Sequence, residues 1–377
     1  MQYLALPFFV SLIITLLILR FQHVHSRYTA DSDLTGVQKF HARAVPRIGG
    51  LGIMVGMLAV IGWLFLSCST DSRAFALLIL ASSPAFLGGI IEDCTKKVRS
   101  HIRLFLTMVA AAIAFYLLGA GIFRLDIPFV DLAMTFWPVS LLFTMVAVGG
   151  VANAINIVDG YNGLASMVSV IMFAALGYVG FLLGDTLIWR TSLAMMGAIL
   201  GFFVWNYPRG LIFLGDGGAY FIGFMLAELS VLLVARNPAV SPWFPLLVVI
   251  YPIFETLFSI YRRVVLRGVS ADIPDAAHLH QLVYKRVVRW AVGSQDVKEK
   301  TARNSMTSPY LWFLCSISVI PAMLFWPHMW ILQICTLAFV VLYITLYRRL
   351  VHFNAPRWLL IKKEKQDASD DNEPEQD

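Results

Sequence analysis

"FLGDGGAYFIGFMLAELSVLLVAR", residues 213–236, opens on a polar, glycine-rich turn and runs into residues 219–235, a stretch with a single carboxylate, Glu228. A run that long and that apolar crosses a bilayer as a helix. Ten more runs of similar length lie near residues 3–19, 49–67, 74–91, 104–122, 134–152, 164–183, 187–205, 243–261, 310–327 and 329–347. The composition agrees. Of 377 residues 59% are hydrophobic and 14% charged, where a soluble domain carries about 25% charged residues. The expected fold is an all-α integral membrane protein of about 11 transmembrane helices.

The charges orient it. The formal net charge is +6, and 25 of the 29 Lys and Arg fall in residues 20–48, 92–103, 206–218, 262–307 and 348–377. The opposite connections hold only Arg73, Arg124, Arg190 and Arg236. The positive-inside rule makes the basic side cytoplasmic, with the N-terminus outside and the C-terminus in the cytoplasm. No basic residue precedes the first apolar run and no small-residue cleavage site follows it, so it reads as a membrane helix rather than a signal peptide. Cys68, Cys94, Cys315 and Cys335 show no paired spacing and read as packing residues. Trp205, Trp243 and Trp290 read as interfacial anchors. The expected organisation is a polytopic domain, 1–347, and an acidic, disordered cytoplasmic tail, 348–377. Neither a soluble domain nor an internal repeat is evident.

The polar stretches all fall on the cytoplasmic side. They are "KFHARAVPRIGG" (39–50), "GIIEDCTKK" (89–97), "NAINIVDGYNGLA" (153–165), "WNYPRGLIFLGDGG" (205–218) and "HLHQLVYKR" (278–286). Together they hold Glu92, Asp93, Asp159 and Asp216 with Lys39, His41, Arg43, Arg47, Lys96, Lys97, His278 and His280. Acids and amides bind a hard divalent cation through oxygen. Basic residues bind phosphate. A Mg²⁺–diphosphate substrate needs both sets at one membrane face. Each stretch alone is an ordinary interfacial loop; their joint occurrence on one side carries the reading. The active-site loops are therefore taken as 20–48, 92–103, 153–163, 206–218 and 262–307.

In this order the motifs resemble the polyprenyl-phosphate N-acetylhexosamine-1-phosphate transferase superfamily (glycosyl transferase family 4), in the bacterial branch that starts O-antigen, common-antigen and wall-polymer synthesis. "HARAVPRIGGLGI" is similar to its His-x(4)-Pro-Arg-x-Gly-Gly segment, "EDCTKK" to Asp-Asp-x-x-Lys, and "FLGDGG" to Phe-Leu-Gly-Asp-x-Gly. "NAINIVDGYNGLA" is similar to Asn-x-x-Asn-x-x-Asp-Gly-x-Asp-Gly-Leu-Ala, and "HLHQ" to His-x-His-His. The resemblance implies transfer of HexNAc-1-phosphate from UDP-HexNAc, GlcNAc first among the sugars, to undecaprenyl phosphate, with release of UMP. It implies Mg²⁺ as cofactor, with Mn²⁺ as a substitute, at the cytoplasmic face of a bacterial inner membrane. Asp93, Glu92, Asp159 and Asn156 would form the catalytic centre, and Asp216 and Asp159 would hold the metal. Lys96, Asn153, Asn162, Asn206, Phe213, Arg263, His278, His280, His41 and Arg47 would bind substrate. Membrane lipid and the two substrates are the expected partners, without nucleic acid; a homodimer is compatible.

The chain departs from the motifs at three places. Glu92 stands for the first Asp of the acidic pair, Asn162 for the second Asp of the central motif, and Gln281 for the last His of His-x-His-His. The last departure argues against the peptidoglycan-precursor translocase of the same superfamily. Restoring Asp at position 162 is expected to keep or raise activity. Glu228 and Glu255 lie within apolar runs, where an ionisable residue suggests function; for Glu255 the suggestion is that it orients a loop. The competing class is a transporter of a nucleotide-sugar or lipid-phosphate anion. Transporters place their sites near the midplane on broken, repeated helices, whereas these motifs sit at one face. The identity of the sugar is not written in these motifs; residues 268–290 are the expected reader.

Overall fold

With no water to satisfy the backbone, apolar runs close their hydrogen bonds within a helix, and this chain follows that rule. A computed structural model describes residues 1–31, 45–266, 268, 277–288 and 297–352. In order the elements are α1 (Gln2–Arg20), α2 (Gln22–Thr29), β1 (Ala30–Asp31), β2 (Val45–Pro46), α3 (Gly50–Leu66), α4 (Ser72–Thr95), α5 (Ser100–Leu118), α6 (Pro128–Met134), α7 (Trp137–Val158), α8 (Leu164–Leu182), α9 (Thr186–Asn206), α10 (Gly215–Arg236), α11 (Trp243–Val248) and α12 (Ile250–Tyr261). A five-residue π-helical stretch, Arg262–Leu266, follows, then α13 (Leu279–Arg286), α14 (Val297–Leu324) and α15 (Met329–Val351). Strands β1 and β2 form a two-residue antiparallel ladder, the one strand pairing among the described residues.

Nine of the described helices are long and apolar enough to cross a membrane: α1, α4, α5, α7, α8, α9, α10, α14 and α15. Helix α3 has 17 residues. The run at 243–261, expected as one span, is instead two helices parted at Val249. Pro252 explains the break, because it has no N–H to donate to the Val248 carbonyl and its ring crowds that oxygen.

Helix α10 is the axis. Every residue from Gly215 to Leu233 is buried. It packs on α4 and α7, and also on α3 and α8. At its start the packing is backbone on backbone. A Cβ on Gly89 of α4 would lie 2.4 Å from the Gly217 nitrogen, and one on Gly50 would lie 2.4 Å from the Gly218 Cα. Small residues let membrane helices approach this closely.

At the opposite end of the bundle, three of the four arginines on the sparsely basic side are paired with carboxylates. Arg124 reaches Asp126 at 3.0 Å, Arg190 reaches Asp71 at 2.6 Å and Arg236 reaches Asp185 at 2.8 Å. They tie loops together instead of presenting free positive charge. Residues 353–377 of the expected tail lie outside the described residues, as do 269–276 and 289–290 of the expected sugar reader.

Candidate active site

The site is built on the first turn of α10. The segment after β2 runs alongside it: Phe213 N–H donates to the Pro46 carbonyl at 2.8 Å, Gly49 N–H to Phe213 at 3.0 Å, and Gly50 N–H to Leu214 at 2.9 Å. Gly215 sits at φ +76°, and a Cβ there would fall 1.8 Å from the Arg47 carbonyl oxygen. Only glycine serves both conditions. This clasp carries Arg47 to the α10 N-terminus.

Asp93, from the end of α4, is fully buried and meets that N-terminus head on. Its two oxygens accept from the backbone N–H of Asp216 at 2.8 Å and of Gly217 at 2.9 Å. A carboxylate capping orphan N–H groups at the positive end of a helix dipole is well placed. Arg47 lies 3.9 Å from Asp93 and 3.8 Å from Asp216. Arg103, in the first turns of α5, pairs with the Asp216 carboxylate. Its guanidinium also lies 5.6 Å from the Tyr220 ring centroid, and Tyr220 O–H donates to Asn153 Oδ1 at 3.1 Å. Two carboxylates and two guanidiniums therefore alternate across the junction of α4, α5 and α10.

The end of α7 forms the neighbouring wall. Asn156 is half-buried one turn beyond Asn153. Asp159 ends the helix, and removal from water pushes its carboxyl up to about 7 against the pull of Arg47. Gly160 faces α13: a Cβ there would sit 3.4 Å from His280 Nε2. His280 is buried among Tyr161, 5.5 Å away edge-on, and His278, stacked at 5.1 Å. Burial holds the His280 pKa down to about 3, with the Glu255 charge opposing, so it is neutral near pH 7. His280 Nδ1 has no hydrogen-bond partner among the described residues.

Other expected residues brace the site. Asn206 is buried; its amide accepts from Gly163 N–H at 2.6 Å and donates to the Ile212 carbonyl at 2.7 Å. Asn162 donates to the Pro208 carbonyl at 3.1 Å, while its backbone N–H and carbonyl engage Asn304 and Ser308 of α14. Glu92 accepts from Val98 N–H at 2.6 Å, shaping the turn after α4. Lys96 is exposed and sits at φ +56°, where the helix reverses. Phe213 is half-buried in the clasp, and Arg263 is half-buried with its Nε toward the Ser259 carbonyl at 3.4 Å. His41 lies outside the described residues.

Sequence reasoning did not single out Arg103, Tyr220 or Asn304. The available signal for Arg103 was a lone arginine entering an apolar run ten residues after Asp93. As for a metal, Mg²⁺ takes one or two protein carboxylates and completes its shell with water and substrate phosphates. Asp216 and the partly desolvated Asp159 fit that donor set. Among the described residues no three His, Cys, Asp or Glu side chains cluster at ligand spacing, so the fit is to a cation shared with substrate.

Comparison with known proteins gives a family match over part of the chain. The model of "Glycosyl transferase family 4" matches residues 75–234. A Bacillus subtilis (strain 168) protein named probable undecaprenyl-phosphate N-acetylglucosaminyl 1-phosphate transferase is 31% identical, across 66% of this chain and 68% of its own. A Salmonella typhi undecaprenyl-phosphate alpha-N-acetylglucosaminyl 1-phosphate transferase is 28% identical, across 67% and 69%. A Staphylococcus carnosus phospho-N-acetylmuramoyl-pentapeptide-transferase is 27% identical, across 51% and 63%.

Proposed function

Because the chain belongs to glycosyl transferase family 4, we propose that it moves HexNAc-1-phosphate from UDP-HexNAc, GlcNAc first, to undecaprenyl phosphate at the cytoplasmic face of a bacterial inner membrane, starting a lipid-linked O-antigen or related envelope polysaccharide. The observation that carries the reading is the alternation of Asp93, Arg47, Asp216 and Arg103 at one helix terminus beside Asp159 and the His278–His280 pair. The relatives' names supply the substrate class.

In the reaction, an oxygen of the lipid phosphate attacks the β-phosphorus of the nucleotide sugar. The bond from that phosphorus to the bridging oxygen breaks, and UMP leaves with the electron pair. A phosphate monoester is mostly ionised at pH 7, so the attacking oxygen needs orientation and charge screening more than a strong base. Phosphoryl transfer depends on those two effects. Arg47 and Arg103 bring positive charge to two phosphates that repel each other. Asp159, at the end of α7 and within the field of Arg47, belongs to the same catalytic centre. Asp93 holds the α10 terminus against Arg47, with Glu92 shaping the adjoining turn, and Asn153 and Asn156 line the wall. His278 and His280 face the diphosphate, with Lys96 at the rim. Mg²⁺ or Mn²⁺, held by Asp216 and Asp159, would supply further charge neutralisation when bound.

The test is membranes containing the protein, undecaprenyl phosphate and radiolabelled UDP-GlcNAc, followed by a panel of UDP-HexNAc donors. Label in a chloroform-soluble lipid with matching UMP release is the expected result. Uptake of label into sealed vesicles without lipid labelling would replace the transferase with a transporter.

A further inference from the structure

Residues 235–352 lie beyond the region matched by the family model, and they hold a buried construction around one carboxylate. Glu255 of α12 is almost wholly buried. Its Oε1 accepts from His278 Nδ1 at 2.9 Å and from Leu279 N–H at 3.0 Å, and its Oε2 accepts from Tyr343 O–H of α15 at 2.8 Å. Three elements therefore converge on it. An ionised carboxylate only accepts, so His278 Nδ1 carries the proton and the ring orientation is set. The ring then stacks on His280 at 5.1 Å, and His280 lies against Gly160, next to Asp159. Arg262 donates to the Ala277 carbonyl and to Tyr347 O–H, holding the residue before the pair.

Resting on the transferase reading, we infer that Glu255 and Tyr343 are positioning residues: they act through His278 to hold the histidine pair against the donor diphosphate. Buried behind His278, Glu255 has no path to the substrate. Its effect on turnover has to pass through the imidazole that it orients. The last span, α15, thereby becomes part of the active-site support through one hydroxyl.

The experiment is a double-mutant cycle on the full chain in detergent with undecaprenyl phosphate, comparing Glu255→Gln, His278→Ala and the double variant. Tyr343→Phe serves as the milder second probe. Glu255→Gln should lower kcat/KM roughly 10- to 100-fold, as removal of a partner that orients a site histidine does. The loss should appear mainly in KM for UDP-GlcNAc and leave KM for the lipid unchanged. The double variant should match His278→Ala within about 2-fold, because both changes disable one unit. Tyr343→Phe should lower activity less, and by nothing further in the His278→Ala background. Should Glu255→Gln not fold, the Tyr343→Phe cycle decides alone. Losses that multiply across the cycle overturn the inference while leaving the transferase reading intact. A folded wild-type chain that labels no lipid from any UDP-HexNAc overturns both.

Discussion

Asn162 stands where the family motif has Asp, and its surroundings explain why the amide suits this chain. Its Nδ2 donates to the Pro208 carbonyl and reaches Ser305 Oγ at 3.4 Å. A carboxylate has no donor and would face a carbonyl oxygen. Asn162→Asp, expected from the motif alone to keep or raise activity, should therefore lose stability by about 1–3 kcal/mol, the range for a buried polar group left unsatisfied. A thermal melt in detergent reads this directly, and an unchanged midpoint would return Asn162 to the substrate-binding role expected from the motif. Asp216 carries the opposite kind of prediction. Asp216→Asn keeps size and one oxygen but removes the charge facing Arg103, Arg47 and the proposed cation. Turnover should fall on the order of 10³-fold, with the Mg²⁺ midpoint moved upward in a metal titration. Near-normal turnover at an unchanged midpoint would shift the metal to Asp159 or Asp93. His280 gives a pH dependence. Its folded pKa near 3 lies below the unfolded value of about 6.5. Between those values the unfolded chain binds a proton that the folded chain does not, so stability rises with pH. Acidification from pH 7 to pH 5 should remove on the order of 2 kcal/mol. His280→Gln should flatten that part of the melting profile.

Helices were legible wherever apolar residues ran long enough to cross a bilayer, since α1, α4, α5, α7, α8, α9, α10 and α15 each overlie an expected run. What periodicity could not supply was the break at Val249 or the start of α14, which carries polar residues such as Asn304 and Ser308 before its apolar part. A run of hydrophobic residues records lipid and core contact but not which helix faces which. For the same reason Asp93 and Asp216 could be nominated from motifs, yet the use of Asp93 as a cap on α10, and of Arg103 as the partner of Asp216, depends on three helices meeting. The glycines show that meeting at element scale. Gly89 has backbone of α10 where a methyl would go, with the Gly217 nitrogen, the Asp216 carbonyl carbon and the Gly217 Cα all within 2.5 Å of that position. Gly89→Ala must push α4 from α10 and should cost about 1–3 kcal/mol, as overpacking does. The displacement would also loosen the Asp93 cap, so activity should fall more than stability alone predicts. A variant with wild-type melting and turnover would mean that α4 and α10 lie further apart than described.

At the scale of the molecule, charge asymmetry and site geometry converge. The Asp93, Asp216, Arg47 and Arg103 cluster gathers at one end of the bundle, and that end includes the basic segment 92–103, with Lys96, Lys97, Arg99 and Arg103. The other end has three of its four arginines paired. UDP-sugars are cytoplasmic metabolites in the proposed reaction, so the cluster should face inward. The chain carries its own probes of this. Cys68, after α3, and Cys94, at the end of α4, are both exposed, while Cys315 is buried. Helix α4 has 24 residues, which at about 1.5 Å each span more than a hydrocarbon core of about 30 Å. The two thiols therefore lie on opposite sides. In sealed spheroplasts a membrane-impermeant maleimide should label Cys68 and spare Cys94. Permeabilisation should expose Cys94, with Cys68→Ser and Cys94→Ser variants identifying each signal. Labelling of Cys94 in sealed cells would turn the carboxylate–arginine cluster outward, away from the nucleotide sugar, and the transferase orientation would have to be abandoned.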